Sequence, residues 1–156
     1  MMRYANNDDF DFIFSLILKE AANGHFDRNL SIPAATYGLE LELRSILENN
    51  TRANGCYAYA LIWERDGKPI GFVVMSALNG DIGNELWLAA VSSAHRSKGE
   101  GTKMINTILR QFAQQGAGLV ARCAPESEAM FHILTSNGFV LDVVLKKGTR
   151  QLISRW

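Results

Sequence analysis

The stretch from Glu85 to Gln115 constrains this chain more than any other. Glu85-Leu86-Trp87-Leu88-Ala89-Ala90-Val91 is an apolar run of strand length. Ser92 to Gly101 follows as a polar turn with two glycines. From Thr102 to Gln115, Met104, Ile105, Ile108, Leu109 and Phe112 recur at helical spacing, one apolar stripe against a polar face. The first turn of a helix has unpaired N–H groups and a partial positive charge, so a strand that feeds a glycine-containing loop at a helix start makes an anion site. Gly99 and Gly101 lack a Cβ and let an anion approach the backbone, while Arg96 and Lys98 add side-chain charge. The spacing excludes two common nucleotide signatures. A Walker loop has four residues between its glycines and then Lys-Ser/Thr, and a dinucleotide fingerprint has a third glycine where this chain has Lys103 and Met104.

The rest of the chain supplies a sheet around this unit. Met2 to Ala5 reads as a short first strand, and Asn6-Asn7-Asp8-Asp9 as a helix-start signal. Phe10, Ile13, Phe14, Ile17 and Leu18 carry the first helix to about Ala22, with Asn23-Gly24 at its end. His25 to Ile32 is a connecting loop. Pro33, with Ser31 near the cap, starts a second helix striped by Leu39, Leu43, Ile46 and Leu47. Cys56–Glu64 and Ile70–Ser76 read as strands joined by a hairpin turn centred on Asp66-Gly67. A further turn at Asn79-Gly80-Asp81 with Gly83 leads into the strand at Glu85, which completes an antiparallel meander. The helix after Gly101 returns the chain to Gly118–Cys123, a strand parallel to the fourth by a right-handed crossover. Pro125 to Glu128 opens a fourth helix with Ala129, Met130, Ile133 and Leu134 apolar. Phe139–Leu145 and Arg150–Ser154 are the last two strands. The expectation is a single α/β domain over residues 1–156. Its mixed sheet has about seven strands, mostly antiparallel with a parallel fourth and fifth pair, and helices on both faces.

Composition bounds the partners. Of the 156 residues, 47% are hydrophobic, which suits one globular domain with a sizeable core. Lys+Arg and Asp+Glu balance at 16 each, and this zero net charge argues against nucleic acid, whose binding is largely electrostatic. No apolar run is long enough to span a bilayer, and Met1-Met2-Arg3-Tyr4 leads into acidic residues with no signal peptide, so the expected location is cytoplasmic. Cys56 and Cys123 sit in apolar runs without metal-ligand neighbours and read as two buried thiols; no metal site is expected.

Arg96-x-x-Gly99-x-Gly101 resembles the Arg/Gln-x-x-Gly-x-Gly/Ala signature of the GNAT acyltransferases. Val91 stands five residues earlier, where that family ends its fourth strand, and Asn137-Gly138-Phe139 resembles the Gly-Phe after its fourth helix. The resemblance covers nearly the whole chain. It implies an N-acetyltransferase that binds acetyl-CoA (CoA) as co-substrate and transfers the acetyl group to a primary amine, small molecule or peptide, by direct attack in a ternary complex. It implies cofactor contacts from Ala89, Val91, Arg96, Ser97, Lys98, Gly99, Glu100, Gly101, Thr102 and Ser127, with the splayed edge of the fourth strand pairing the pantetheine arm. His25 and Phe26, with Asp27 and Arg28, lie in the segment that walls the acceptor pocket in the family. Glu85 stands where the histone-acetylating branch has its base, and is the candidate to take the amine proton; with period two it shares a face with residues 87, 89 and 91 unless a bulge intervenes.

One position departs from the family. Many members carry Asn-x-x-Ala-x-x-x-Tyr on the fourth helix, and here those places are Ser127, Met130 and Leu134, so the tyrosine that protonates the leaving thiolate is absent. His132 is two residues from Leu134 and faces away from it on a helix; water, Tyr57 or Tyr59 are the remaining donors. His95 reads as a surface turn residue, Trp63 and Trp87 as packing, and Trp156 as a terminal residue able to reach a partner. Two alternatives stay open: a non-catalytic CoA-binding regulatory or interaction protein, and an acetyltransferase acting on a protein or an aminoacyl-tRNA. Many relatives dimerise, so a homodimer is also compatible with the resemblance.

Overall fold

A computed structural model describes residues 1–77, 84–114 and 118–154. The expected turn at Asn79 to Gly83 and the terminal Trp156 lie outside the described residues. The chain runs β1 (Met2–Tyr4), α1 (Phe10–Ala22), α2 (Pro33–Asn49), β2 (Ala58–Arg65), β3 (Lys68–Ala77), β4 (Asn84–Val91), α3 (Glu100–Gln114), β5 (Leu119–Cys123), α4 (Glu128–Ser136), β6 (Val140–Val144) and β7 (Arg150–Ser154). One sheet holds all seven strands in the order β1-β2-β3-β4-β5-β7-β6. β4 and β5 are parallel and every other neighbouring pair is antiparallel. This is the mixed sheet that the sequence implies, with the α3 crossover placing β5 beside β4.

Two apolar layers follow from the period-two pattern of the strands. On one face Ile13, Ile17, Leu43 and Ile46 of α1 and α2 pack on Ala60, Ile62, Phe72 and Val74. On the other, Met104, Ile105, Ile108 and Leu109 of α3 and Leu134 of α4 pack on Val73, Met75, Leu86 and Leu119. Pro33 opens α2 at its first turn, but Ile32 is the cap residue and Ser31 instead ends a short 3₁₀ turn from Arg28, which gives the expected loop its own helical turn. Cys123 is buried in β5 as expected; Cys56 is only half-buried and stands in the turn before β2, because that strand starts at Ala58.

A bulge in β4 sets which face each of its residues uses. Val74 pairs with Leu88 and Met75 with Leu86, so Trp87 is the extra residue. The alternation slips there, and Leu86 joins Ala89 and Val91 on the α3/α4 side. Glu85 is paired with Ser76, two residues beyond Val74 on β3, and so lies on the α1/α2 side. The expected common face for residues 85, 87, 89 and 91 is thereby corrected: the bulge divides it after Trp87.

At the start of α1, Asn6 and Asp9 form a reciprocal capping box, and the Asp9 carboxylate takes both Arg3 guanidinium nitrogens at 2.8 Å. The Arg3 hydrogen bonds hold Asp9 below its ordinary value of 3.8. A carboxyl lowered on folding contributes stability that is present above its unfolded value and lost as pH falls through the folded one. Asp9→Asn should therefore lower the unfolding midpoint at pH 7, by the equivalent of about 1 kcal/mol for the lost charged pair with Arg3. It should also flatten the loss of stability below about pH 3.8. Denaturant titrations of both proteins from neutral to strongly acid pH check this, and parallel curves for the two would refute it.

Candidate functional site

The site begins where β4 and β5 part. Their ladder holds only Asn84, Glu85 and Leu86 against Leu119, Val120 and Ala121. From Leu88 to Val91, β4 is paired on its β3 side alone. In a strand both polar groups of one residue point to the same side, alternating along the chain. The Ala89 and Val91 carbonyls face the opening, since they accept from His25 Nε2 at 2.9 Å and from Arg96 Nε at 3.0 Å. The N–H groups of Ala89 and Val91 share that side.

A cleft of about 470 Å³ continues from this edge, between the loop before α3 and the helix α4. Val91, Arg96, Ser97, Gly99, Glu100, Gly101 and Thr102 line one wall, and Glu126, Ser127 and Met130 are on the other. Gly99 has φ +78°, and a Cβ there would meet no atom within 4 Å, so glycine is set by backbone conformation beside open space. A Cβ on Gly101 would stand 3.0 Å from Ile133 Cδ1, so that glycine lets α3 and α4 approach. Lys98 is exposed, reaches the Ala94 carbonyl, and does not line the cleft.

Two carboxylates shape the loop from behind. Arg96 is ion-paired with Glu20, which is buried on α1, and its Nε bonds the Val91 carbonyl. Glu100, also buried, accepts from Trp63 Nε1 at 2.7 Å and pairs with Arg65. Glu100 therefore turns its side chain into the core and offers the cleft its backbone. Trp63 is a packing residue, as expected, with a polar tie.

A second, smaller cavity of about 40 Å³ adjoins the first; Phe26, Trp87, Ala89, Arg122, Cys123 and Leu134 line it. His25 and Ser127 line both cavities. Arg52 stacks on the Trp87 ring at 3.8 Å. Burial pushes the Cys123 thiol up to about 11, which keeps it protonated and a poor nucleophile. Glu85, buried, lies 3.5 Å from the Arg122 guanidinium, which places it one side chain behind this cavity. Leu134 stands in the wall of this cavity, while His132 is exposed on the rim of the cleft. His132 thus does not point wholly away, and Tyr57 and Tyr59 are displaced as donors: Tyr59 on β2 contacts Tyr4 on β1 and Tyr57 just before β2, and neither lines a cavity.

Two features escape the sequence pattern. Ser127 is 4% exposed and its Oγ lies 2.6 Å from His25 Nδ1, an interaction across 102 positions. Glu20 gave no signal beyond a charged residue in a helix. His25 and Phe26, both expected in the acceptor wall, line the smaller cavity, and His25 lines the cleft as well.

The model of the acetyltransferase (GNAT) family matches residues 26–139. No curated protein sequence matches. Among solved structures, an N-acetyltransferase from Thermoplasma acidophilum in complex with coenzyme A superposes with a TM-score of 0.71 at 13% identity, over 100% of this chain and 98% of its own. The protein AAC(6')-Ib in complex with paromomycin and acetyl-CoA gives 0.73 at 14% identity, over 99% and 92%. A spermidine N-acetyltransferase chimera from Vibrio cholerae gives 0.68 at 18%, over 99% and 96%. The match spans the open β4 edge, the Gly99 loop and α4, and this chain belongs to the GNAT acetyltransferase family, as an acyltransferase that uses acetyl-CoA.

Proposed function

We propose that this protein acetylates a primary amine on a small molecule or peptide, by direct attack on acetyl-CoA in a ternary complex. The observation that carries the reading is the continuity of the site. The unpaired edge of β4 joins the Gly99 loop at one end and the Trp87–Phe26 cavity at the other. A CoA laid along that edge would put its pyrophosphate at the start of α3, where backbone N–H groups are unpaired. Its thioester would reach the level of Ala89, whose backbone N–H on the same edge would meet the oxyanion.

An amine attacks only when neutral. We assign its first proton to Glu85, directly or through water, because this carboxylate lies behind the acceptor cavity beside Arg122. The Phe26 and Trp87 rings would cover the amine's carbon chain. Neighbouring folds named for spermidine and for an aminoglycoside complex agree with an amine acceptor.

Acetyl-CoA and CoA should each raise the thermal unfolding midpoint, by the equivalent of about 2.7 kcal/mol at a hundredfold excess over Kd, and ATP should not. Gly99→Glu, which places a carboxylate at a positive φ beside the phosphate path, should abolish the shift. Absence of any shift with either CoA species in the wild type would overturn the cofactor assignment.

Glu85→Gln should lower amine turnover by about 10²-fold or more while leaving the CoA-induced shift intact. Steady-state kinetics on an amine panel measures this, and unchanged turnover would remove Glu85 from the mechanism.

A further inference from the structure

His25 and Ser127 are bonded in a way that allows the pair to hold and return one proton. His25 Nε2 lies 2.9 Å from the Ala89 carbonyl. A carbonyl only accepts, so Nε2 carries hydrogen. Nδ1 lies 2.6 Å from Ser127 Oγ, and that same Oγ lies 3.0 Å from the carbonyl oxygen of His25 itself. A hydroxyl has one hydrogen. When the ring is neutral, the Ser127 hydroxyl donates to Nδ1. When the ring is charged, Nδ1–H donates to Oγ and the hydroxyl swings to the His25 carbonyl. Both protonation states are hydrogen-bonded at both ring nitrogens, and passing between them needs rotation of one O–H and no heavy-atom movement.

The chemistry of thioester aminolysis leaves a proton to be carried. The leaving sulfur departs as a thiolate into a site walled by Ala89, Met130 and Leu134, and the nitrogen that displaced it holds a surplus proton. Of the other protic groups near Ala89, Glu20 is paired to Arg96, Glu85 is already assigned the amine's first proton, and Cys123 holds its proton too tightly, while His132 is exposed on the rim of the cleft. Among the described residues no tyrosine lines either cavity.

We propose that Ser127 and His25 form a relay that carries one proton from the attacking nitrogen to the leaving sulfur, Ser127 meeting the reacting atoms and His25 acting through it. The proposal rests on the acetyl-transfer reading above. The amine nitrogen bonds to the carbonyl carbon and the π pair moves to oxygen. The nitrogen's surplus proton passes to Ser127 Oγ as the hydroxyl proton passes to Nδ1. The oxyanion pair then reforms the carbonyl, the C–S pair leaves on sulfur, Nδ1 returns its proton to Oγ, and Oγ gives one to sulfur. One N–H is lost, one S–H is gained, and the relay ends as it began. The charged groups facing the ring are Glu20 of α1, which favours its protonated form, and Arg96 before α3, which opposes it; Glu126, Arg122 and Cys123 share the cavities it lines. Burial is the largest influence and holds His25 below its ordinary 6.5, so the ring is neutral and receptive at pH 7.

The test uses the full chain, acetyl-CoA and an amine panel, with wild type, His25→Gln and Ser127→Ala. Each variant should still be stabilised by CoA, Ser127→Ala less than His25→Gln, and lose on the order of 10²- to 10⁴-fold in kcat, the range for a lost acid–base partner. The double variant should be no slower than the worse single one, because the two act as a unit. The wild-type rate should rise through an acid limb below pH 6.5, lost in His25→Gln and kept in Glu85→Gln. Wild-type kcat and an unchanged pH profile in both variants would overturn the relay and leave the acetyl-transfer reading standing. An acetyl group accumulating on Ser127 without acceptor, seen by intact mass, would also overturn it, in favour of a nucleophilic serine. If His25→Gln does not melt cooperatively, Ser127→Ala decides. A wild type that binds acetyl-CoA but acetylates no amine would overturn both the reading and the relay.

Discussion

The short ladder between β4 and β5 is the constraint from which the site follows. Three residue pairs join the strands and then stop at Leu86 and Ala121. Unpaired backbone inside a sheet costs free energy unless something else satisfies it. Here the exposed carbonyls of Ala89 and Val91 are taken by His25 and Arg96, side chains that reach in from the loops after α1 and β4. The gap is thus kept open and its acceptors occupied, which leaves the N–H groups on the same edge for a ligand. The bulge at Trp87 adds to this: it turns Leu86, Ala89 and Val91 towards α3 and α4, and leaves Glu85 on the opposite side of the sheet.

Charge at the cofactor loop is arranged differently from a simple basic patch. Arg96 is neutralised by the buried Glu20, and Glu100 at the start of α3 is turned inward to Trp63 and Arg65. Removing either carboxylate's partner would strand a charge away from water, which is costly, so these pairs fix the loop's path. A pyrophosphate at this loop would be attracted mainly by the backbone N–H groups at the start of α3, with open space beside Gly99. Such a field is local and built from oriented dipoles, and so needs no net charge on the chain.

The sequence by itself determined the order of elements and the place of the glycine-containing loop before α3. Helical and alternating periodicities are local properties, so Ile13, Ile17, Leu43 and Ile46 on one side, and Met104, Ile105 and Ile108 on the other, were readable as buried stripes. The turn at Arg96, Gly99 and Gly101 was readable because a strand end, a turn and a helix start all form within one short segment. The shift of Glu85 to the other face was not readable, since a bulge arises from pairing between β3 and β4 and no residue type announces it. Nor was the partnership of His25 with Ser127 and Ala89, or of Glu20 with Arg96. Those contacts join residues from α1, the loops, the middle of the sheet and α4. Only the folded sheet, by bringing its splayed edge against the end of α1 and the start of α4, decided which side chains would meet there.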